Sequence, residues 1–155
     1  MTMRSLRDSV DGLKALGHPA RLRILSLLRG GELCVCQVTE VLGLAPSTIS
    51  EHLSLLRRAG VIEERKEGKW VFYALTDDPV LGPLCEALWL LVEGDAALKA
   101  DARNCAKTRK MPLSSLHKGV GGSVKFQRPS PTETVIQPPF DATPPVTKKQ
   151  SGATR

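Results

Sequence analysis

Two cysteines separated by a single residue, Cys34 and Cys36, carry the clearest chemistry in this sequence. Deprotonated cysteine sulfur is a soft ligand, and soft cations and metalloids select it over oxygen ligands. The pair stands about ten residues before a segment whose pattern is typical of a DNA-reading helix. This juxtaposition predicts a protein that binds a soft ligand through thiolates and reports the binding to DNA. A plainer interpretation is that two small apolar side chains flank the start of a helix.

Apolar residues at helical spacing, with glycine and proline as punctuation, predict five helices and one hairpin. Pro46 suits the first position of the fourth helix, and Gly60 suits its end. The hairpin consists of two β-rich runs around the turn residues Glu67 and Gly68. The predicted helices are residues 6–16, 20–28, 35–42, 46–59 and about 83–102, and the predicted strands are residues 61–66 and 69–75.

Two short helices joined by a tight turn and followed by a hairpin predict a fold that is mainly α with a β-hairpin wing, a winged helix-turn-helix. The fourth helix buries an apolar stripe and leaves a polar, small-faced side, which suits a major groove about 12 Å wide. Basic residues at the helix end and the hairpin tip suit phosphate contacts. His52 flanks the stripe, so it is either a DNA contact or a packed side chain. The predicted DNA-binding residues are Ser47, Thr48, Ser50, Glu51, His52, Ser54, Arg57, Arg58, Arg65, Lys66 and Lys69.

The net charge of +6 is concentrated near the C-terminal end of the sequence. Residues 106–155 hold nine Lys and Arg against two acidic residues, whereas residues 1–105 hold thirteen against fourteen. Seven of the eleven prolines lie from residue 107 onward, and no periodic apolar face accompanies them. We therefore expect one winged helix DNA-binding and dimerisation domain, residues 1–105, and a disordered, basic, proline-rich tail, residues 106–155.

The sequence has no apolar run that is long enough to span a membrane, and its N-terminus has no signal-peptide core. We therefore expect a cytoplasmic protein, where thiols serve more often as ligands or sensors than as structural disulfides. Nothing in the sequence suggests an enzyme, because no glycine-rich phosphate loop and no Ser/His/Asp order is present. A winged helix that serves protein–protein contact is the alternative to DNA binding.

Three segments, residues 32–36, 46–53 and 56–62, resemble the ArsR/SmtB family, and more narrowly its arsenite- and antimonite-responsive repressors. The resemblance covers about residues 5–100. It implies a homodimer held by the first and last helices, and repression of a resistance operon. It also implies release from operator DNA when trivalent arsenic or antimony binds as inducer, with no permanent cofactor. For a dimer we expect an imperfect inverted repeat as the operator.

By the same resemblance, Cys34 and Cys36 match two of the family's metalloid thiolates, whereas Thr39 stands where well-known members have the third. The third ligand could be Cys105, just beyond the last predicted helix, or a small cellular thiol. Cys85 shares a stripe with apolar residues and is expected in the core. Three alternatives remain: a redox or sulfur-species sensor, a cadmium or lead sensor, and an organoarsenical site built from Cys85 and Cys105.

The spacing of the thiol pair suggests how binding could reach DNA. Side chains two residues apart on an intact α-helix do not face each other. If Cys34 and Cys36 both lie inside the third helix, one centre that touches both sulfurs must unwind its first turn. We expect that distortion to displace the recognition helix and to lower the affinity for DNA. If the helix begins after Cys36, this coupling disappears.

Overall fold

Local capping chemistry sets most helix boundaries in the computed structural model, which describes residues 5–116. Ser5 begins the first helix in a capping box with Asp8, and His18 begins the second by accepting the amide of Ala20 through Nδ1 at 3.1 Å. Gly43 ends the third helix with a φ of +64°, where a Cβ would be strained. In chain order the elements are α1 (Leu6–Leu16), α2 (Pro19–Leu28), β1 (Leu33–Cys34), α3 (Val35–Leu42), α4 (Pro46–Arg58), β2 (Ile62–Glu67), β3 (Trp70–Leu75), α5 (Leu81–Val92), α6 (Ala96–Thr108) and α7 (Leu113–Leu116).

The hairpin forms with a register that differs by one residue from the prediction. Glu67 pairs with Trp70, so the turn is Gly68–Lys69 and not Glu67–Gly68. Gly68 takes the first turn position with a φ of +58°, which glycine adopts without steric cost. A third strand, β1, pairs antiparallel with β3 and gives the sheet order β1-β3-β2. The sequence did not predict β1, because two residues are too few to show alternation.

The C-terminal helices depart from the prediction of one long fifth helix. Gly94 lies in the break between α5 and α6, and Asp95 caps the start of α6 by accepting hydrogen bonds from the amides of Ala97 and Leu98. Because α6 continues to Thr108 and α7 follows it, the expected domain boundary at residue 105 falls inside a helix. Residues 106–116 are therefore not part of a disordered tail, and the rest of that prediction, residues 117–155, lies outside the described residues.

The core is aliphatic, as the low aromatic content indicates. Helices α2, α3 and α4 meet around fully buried side chains, and α6 packs across α2 and α3. A partly buried ion pair fastens α6, since Arg23 binds the carboxylate of Asp101 through two bonds of 2.7 and 2.8 Å. Within residues 5–116, no helix is long and apolar enough to cross a membrane. The central side chains are Ile24, Leu25, Leu28, Leu33, Val38, Ile49, Leu53 and Leu56.

Candidate thiol site and DNA interface

The fold brings together the two thiols that were predicted as ligands. The sulfur atoms of Cys34 and Cys36 lie 2.8 Å apart, and the two side chains are 0% and 4% exposed. The pair sits where β1 passes into α3, and Cys34 is opposite Phe72 in the ladder with β3. One site therefore joins the edge of the wing to the helix that precedes the recognition helix.

The sulfurs meet because only one of the cysteines belongs to the helix. Cys34 is the cap residue before α3 and has extended backbone angles, φ −69° and ψ 147°, whereas Cys36 lies in the first turn. The predicted bounds of this helix are confirmed, so the condition for unwinding, that both cysteines lie inside it, is not met, and a chelating centre does not have to unwind α3. Gln37 stabilises this cap, because its side-chain Oε1 accepts a hydrogen bond from the Cys34 amide at 2.9 Å. A cap residue followed three positions later by Gln is a capping-box spacing.

Cys34 and Cys36 share one proton across their hydrogen bond. Cys36 donates to Cys34, and this bond lowers the pKa of Cys34 from 9.0 to about 7, although burial opposes the shift. Backbone amides, among them that of Val71 on β3, stabilise the same sulfur. The shared hydrogen bond, then burial, raises the pKa of Cys36. The pair therefore releases its first proton more readily than an isolated cysteine does, and the thiolate that results is the form in which thiols bind soft centres.

Apolar side chains enclose the thiol pair on its outer side. Leu116 of α7 is buried against the two cysteines, and Leu113, Trp70 and Phe72 pack around them. We call Cys34, Cys36 and these surrounding side chains the thiol cluster. The cluster is separate from the main core, so the sulfurs are not merely two more core atoms.

The predicted third ligand does not join the pair. Cys105 is buried in the main core, as is Cys85, and neither belongs to the thiol cluster. Burial raises the pKa of Cys85, in keeping with its expected packing role. Thr39, at the position of the family's third thiolate, donates to the carbonyl of Val35 at 2.8 Å. In the part of the chain that the structure describes, no three His, Cys, Asp or Glu side chains are grouped to hold a metal ion.

The polar face of α4 is accessible, as a groove-reading helix requires. Ile49, Leu53 and Leu56 are fully buried, and the opposite face carries the predicted contacts. Ser47, Glu51, Arg57, Arg58, Lys66 and Lys69 are exposed, and Thr48, Ser50 and Ser54 are half-buried.

His52 is the exception among the predicted DNA contacts. It is 9% exposed, and its ring lies 4.7 Å from that of His18, centroid to centroid. Its Nδ1 has no hydrogen-bond partner among residues 5–116. Burial, then the positive charges of His18 and Arg21, lowers the pKa of His52. The predicted base contact is therefore wrong for this side chain, because it faces the N-terminus of α2 instead of the surface.

Arg65 is exposed, but its guanidinium group is bound by other side chains of the same protein. Its guanidinium binds the carboxylate of Glu32 at 2.7 and 3.0 Å, also binds Glu67, and lies 4.8 Å above the ring of Phe72. Arg65, a predicted phosphate contact, thus also ties the wing to Glu32, which lies two residues before Cys34. Short-range sequence patterns could not show this link, because the partners are more than thirty residues apart.

The comparisons with known proteins agree with this architecture. A family described as bacterial regulatory protein, arsR family, matches residues 18–64. An uncharacterized HTH-type transcriptional regulator of Methanocaldococcus jannaschii is 43% identical over 50% of this chain and 89% of its own. An arsenical resistance operon repressor of Bacillus subtilis is 38% identical over 54% of this chain and 80% of its own.

A solved structure is similar over the same region. It is the homodimeric winged helix-turn-helix DNA-binding domain of a possible ArsR-family regulator from Mycobacterium bovis. The two chains superpose with a TM-score of 0.52 and 26% identity, over 62% of this chain and 94% of the other. The winged helix-turn-helix of this chain is thus also the fold named for that domain. The chain belongs to the ArsR family, whose members are winged helix transcriptional regulators that bind DNA.

Proposed function

We propose that this protein is a metalloid-responsive repressor, which binds operator DNA as a homodimer and is released when trivalent arsenic or antimony binds Cys34 and Cys36. The observation that carries the proposal is the buried thiol pair, whose sulfurs lie 2.8 Å apart between the wing and α3. The Bacillus subtilis relative is named an arsenical resistance operon repressor, which supports the choice of ligand.

The geometry of the pair favours a bent centre over a linear one. With metal–sulfur bonds of about 2.3 Å, a linear centre would hold two sulfurs roughly 4.6 Å apart, and a tetrahedral centre roughly 3.8 Å apart. A separation of 2.8 Å is closer to the bent arrangement. Arsenite, As(OH)3, reacts with two thiols to form two As–S bonds, and two water molecules leave with the thiol protons and two hydroxyl groups. The oxidation state does not change.

Binding reaches DNA through the wing and α3 and does not require α3 to unwind. A centre between the sulfurs pushes them apart by roughly 1 Å on the bond lengths above. Cys34 is paired with Phe72 on β3, and Cys36 lies in α3, which packs against α4. The displacement is therefore divided between the wing and the support of the recognition helix. A differential binding energy of about 1–3 kcal/mol between the two states lowers DNA affinity about 5- to 150-fold.

The dimer is expected to form through α1 and α5, whose outer faces carry apolar side chains. Leu6 and Leu13 on α1 are exposed, as are Leu90 and Leu91 on α5, at 74% and 80% for the last two. Exposed leucine side chains of this extent are typical of an interaction surface. A two-fold dimer places its two α4 helices on half-sites one helical turn apart, about 34–36 Å.

A DNA duplex from the region upstream of the gene tests whether the protein binds operator DNA. We expect protection of an imperfect inverted repeat in footprinting, and an affinity that falls steeply with salt because phosphates are neutralised. We also expect arsenite, but not arsenate, to abolish the gel shift of the wild-type protein. If the affinity for DNA does not depend on salt, a winged helix that serves protein–protein contact is favoured. If cadmium releases the protein from DNA and arsenite does not, a cadmium or lead sensor is favoured.

A further inference from the structure

Arg65 reaches across the three-stranded sheet that contains the wing. It lies on β2, at one edge, where it pairs with Phe72 of the central strand β3, and its Cζ atom is 4.8 Å from the centroid of the Phe72 ring. Its Nε and Nη2 donate to the two carboxylate oxygens of Glu32 at 3.0 and 2.7 Å. Glu32 directly precedes β1, the strand at the other edge. One side chain therefore connects the two edges of the sheet.

The segment that Arg65 grips is itself fixed to the body of the domain. Arg109, between α6 and α7, donates to the carbonyl of Gly31 at 2.9 Å and to that of Glu32 at 3.1 Å. By contrast, β1 is two residues long and pairs with β3 through those two residues alone. The bidentate bond between Arg65 and Glu32 therefore adds substantially to a short ladder, because a paired guanidinium and carboxylate hold each other in one plane.

The guanidinium of Arg65 has little capacity left for a DNA phosphate. Three of its five N–H groups are engaged, two by Glu32 and one by Glu67, and the ring of Phe72 lies against it. One positive side chain between two carboxylates leaves this group with a net negative charge, which repels phosphate.

The next residue on β2 differs from Arg65 in this respect. Lys66 is exposed, and its side chain forms no hydrogen bond or ion pair in the part of the chain that the structure describes. Its ammonium group can therefore approach a phosphate without first leaving a carboxylate. The two neighbouring basic residues of the wing thus suit different tasks.

We infer that Arg65 and Glu32 are positioning residues for DNA binding, which fix the wing relative to the helix-turn-helix, and that Arg65 does not contact phosphate. This role rests on the DNA-binding part of the proposed function and does not depend on the inducer. It replaces the expectation that Arg65 binds phosphate. A wing that is held in one orientation loses less conformational freedom on DNA than a mobile wing, so the pair strengthens binding although Glu32 is negatively charged.

Fluorescence anisotropy tests this role with the full-length protein and a labelled duplex from the region upstream of the gene. Glu32→Ala should weaken DNA binding about 2- to 10-fold, because the wing must then be ordered on binding. Glu63→Ala is the matched control, since Glu63 is an exposed residue of β2 whose side chain has no bonded partner within residues 5–116. It removes the same charge and should bind at least as tightly as the wild type. Equal affinities of the two variants would overturn the inference.

Reversal of the ion pair separates positioning from phosphate contact. Arg65→Glu alone should weaken DNA binding about tenfold or more, because two carboxylates then face each other. Glu32→Arg/Arg65→Glu restores an ion pair in the opposite sense and should return the affinity to within about threefold of the wild type. If the double variant binds as weakly as Arg65→Glu, Arg65 acts through phosphate and the inference is wrong.

Hydrogen exchange of the protein without DNA examines the same link directly. The backbone amides of β2 and β3 should exchange about 2- to 10-fold faster in Glu32→Ala and in Arg65→Ala, and no faster in the double variant, because each change removes the same contact. Unchanged exchange in both single variants would contradict the positioning role. Wild-type protein that shows the expected exchange but binds no upstream duplex would instead contradict the proposed function.

Discussion

Cys34 combines two roles at the scale of single residues, since it is the cap of α3 and it presents a sulfur to Cys36 at 2.8 Å. An extended cap residue and a residue in the first helical turn can point their side chains at the same place, which two residues within a helix cannot. The two sulfurs therefore already lie side by side, as the proposed chelation requires.

The shared proton predicts an unusual pH profile of thiol reactivity. In a Cys85→Ser/Cys105→Ser protein, the alkylation rate with iodoacetamide should rise with a midpoint near pH 7, because the pKa of Cys34 is lowered from 9.0 to about 7. Adding Cys36→Ala removes the hydrogen-bond donor to Cys34 and should move the midpoint upward. A midpoint near 9 in the starting protein would contradict the shared-proton description.

His52 predicts a loss of stability in weak acid. Because burial, His18 and Arg21 lower its pKa in the folded state below 6.5, the unfolded chain takes up the proton first. The contribution of neutral His52 is complete above pH 6.5 and is lost as the pH falls through the folded value. Urea unfolding at pH 7.5 and 5.5 should show this difference, and it should shrink in His52→Gln. An equal pH dependence in His52→Gln would assign the effect to other groups.

Residue types and their spacing predicted that the two thiols lie together and that α4 has an exposed polar face, because both features depend on short-range sequence patterns. They could not show that His52 turns toward His18 or that Arg65 reaches Glu32, since both contacts join distant segments. The cap role of Cys34 was within reach, because Gln37 stands at the capping-box spacing.

At the scale of elements, α6 fastens the C-terminal part of the domain to α2 and α3. Its main polar attachment is the ion pair between Arg23 and Asp101, whose carboxylate is almost fully buried. The bond with Asp101 is also the main reason that the pKa of Arg23 is raised. Because α7 follows α6, this ion pair indirectly supports the packing of Leu116 against Cys34 and Cys36.

Removing the carboxylate of this ion pair should destabilise the domain. Asp101→Ala leaves Arg23 without its partner, and a partly buried charge that loses its bonds costs on the order of 2–3 kcal/mol. Urea denaturation measures the change. The control Glu86→Ala breaks the exposed pair with Arg29, of 3.3 Å, and should cost less than about 1 kcal/mol. Equal effects in the two variants would show that Asp101 is not an anchor.

Periodicity predicted α1 to α4 and the hairpin, since each is long enough to repeat its pattern. It missed β1, which has two residues, and α7, which has four. The break between α5 and α6 was readable from Gly94 and Asp95, a breaker followed by a good cap residue. Apolar residues on both sides of that break led to the prediction of one continuous helix.

At the scale of the whole molecule, the apolar outer faces of α1 and α5 predict the dimer. Leu90→Glu/Leu91→Glu should convert the protein to a monomer and weaken operator binding at least tenfold, because one subunit then engages one half-site. Sedimentation velocity measures the association state. The matched control Ala97→Glu/Ala102→Glu changes exposed residues of α6 and should remain dimeric. A dimer that persists in the leucine variant would place the interface elsewhere.

In the proposed function, one event connects these scales, because a ligand bound between two sulfurs moves the wing and α3 together. The most direct measurement is the anisotropy of a labelled operator duplex, bound by the protein and titrated with arsenite. The reciprocal variants Cys34→Ser/Cys36→Ser and Cys85→Ser/Cys105→Ser locate the responsive thiols. We predict that the first binds DNA and stays bound, and that the second is released like the wild type. Release of the Cys34→Ser/Cys36→Ser protein at the wild-type arsenite concentration would contradict the account.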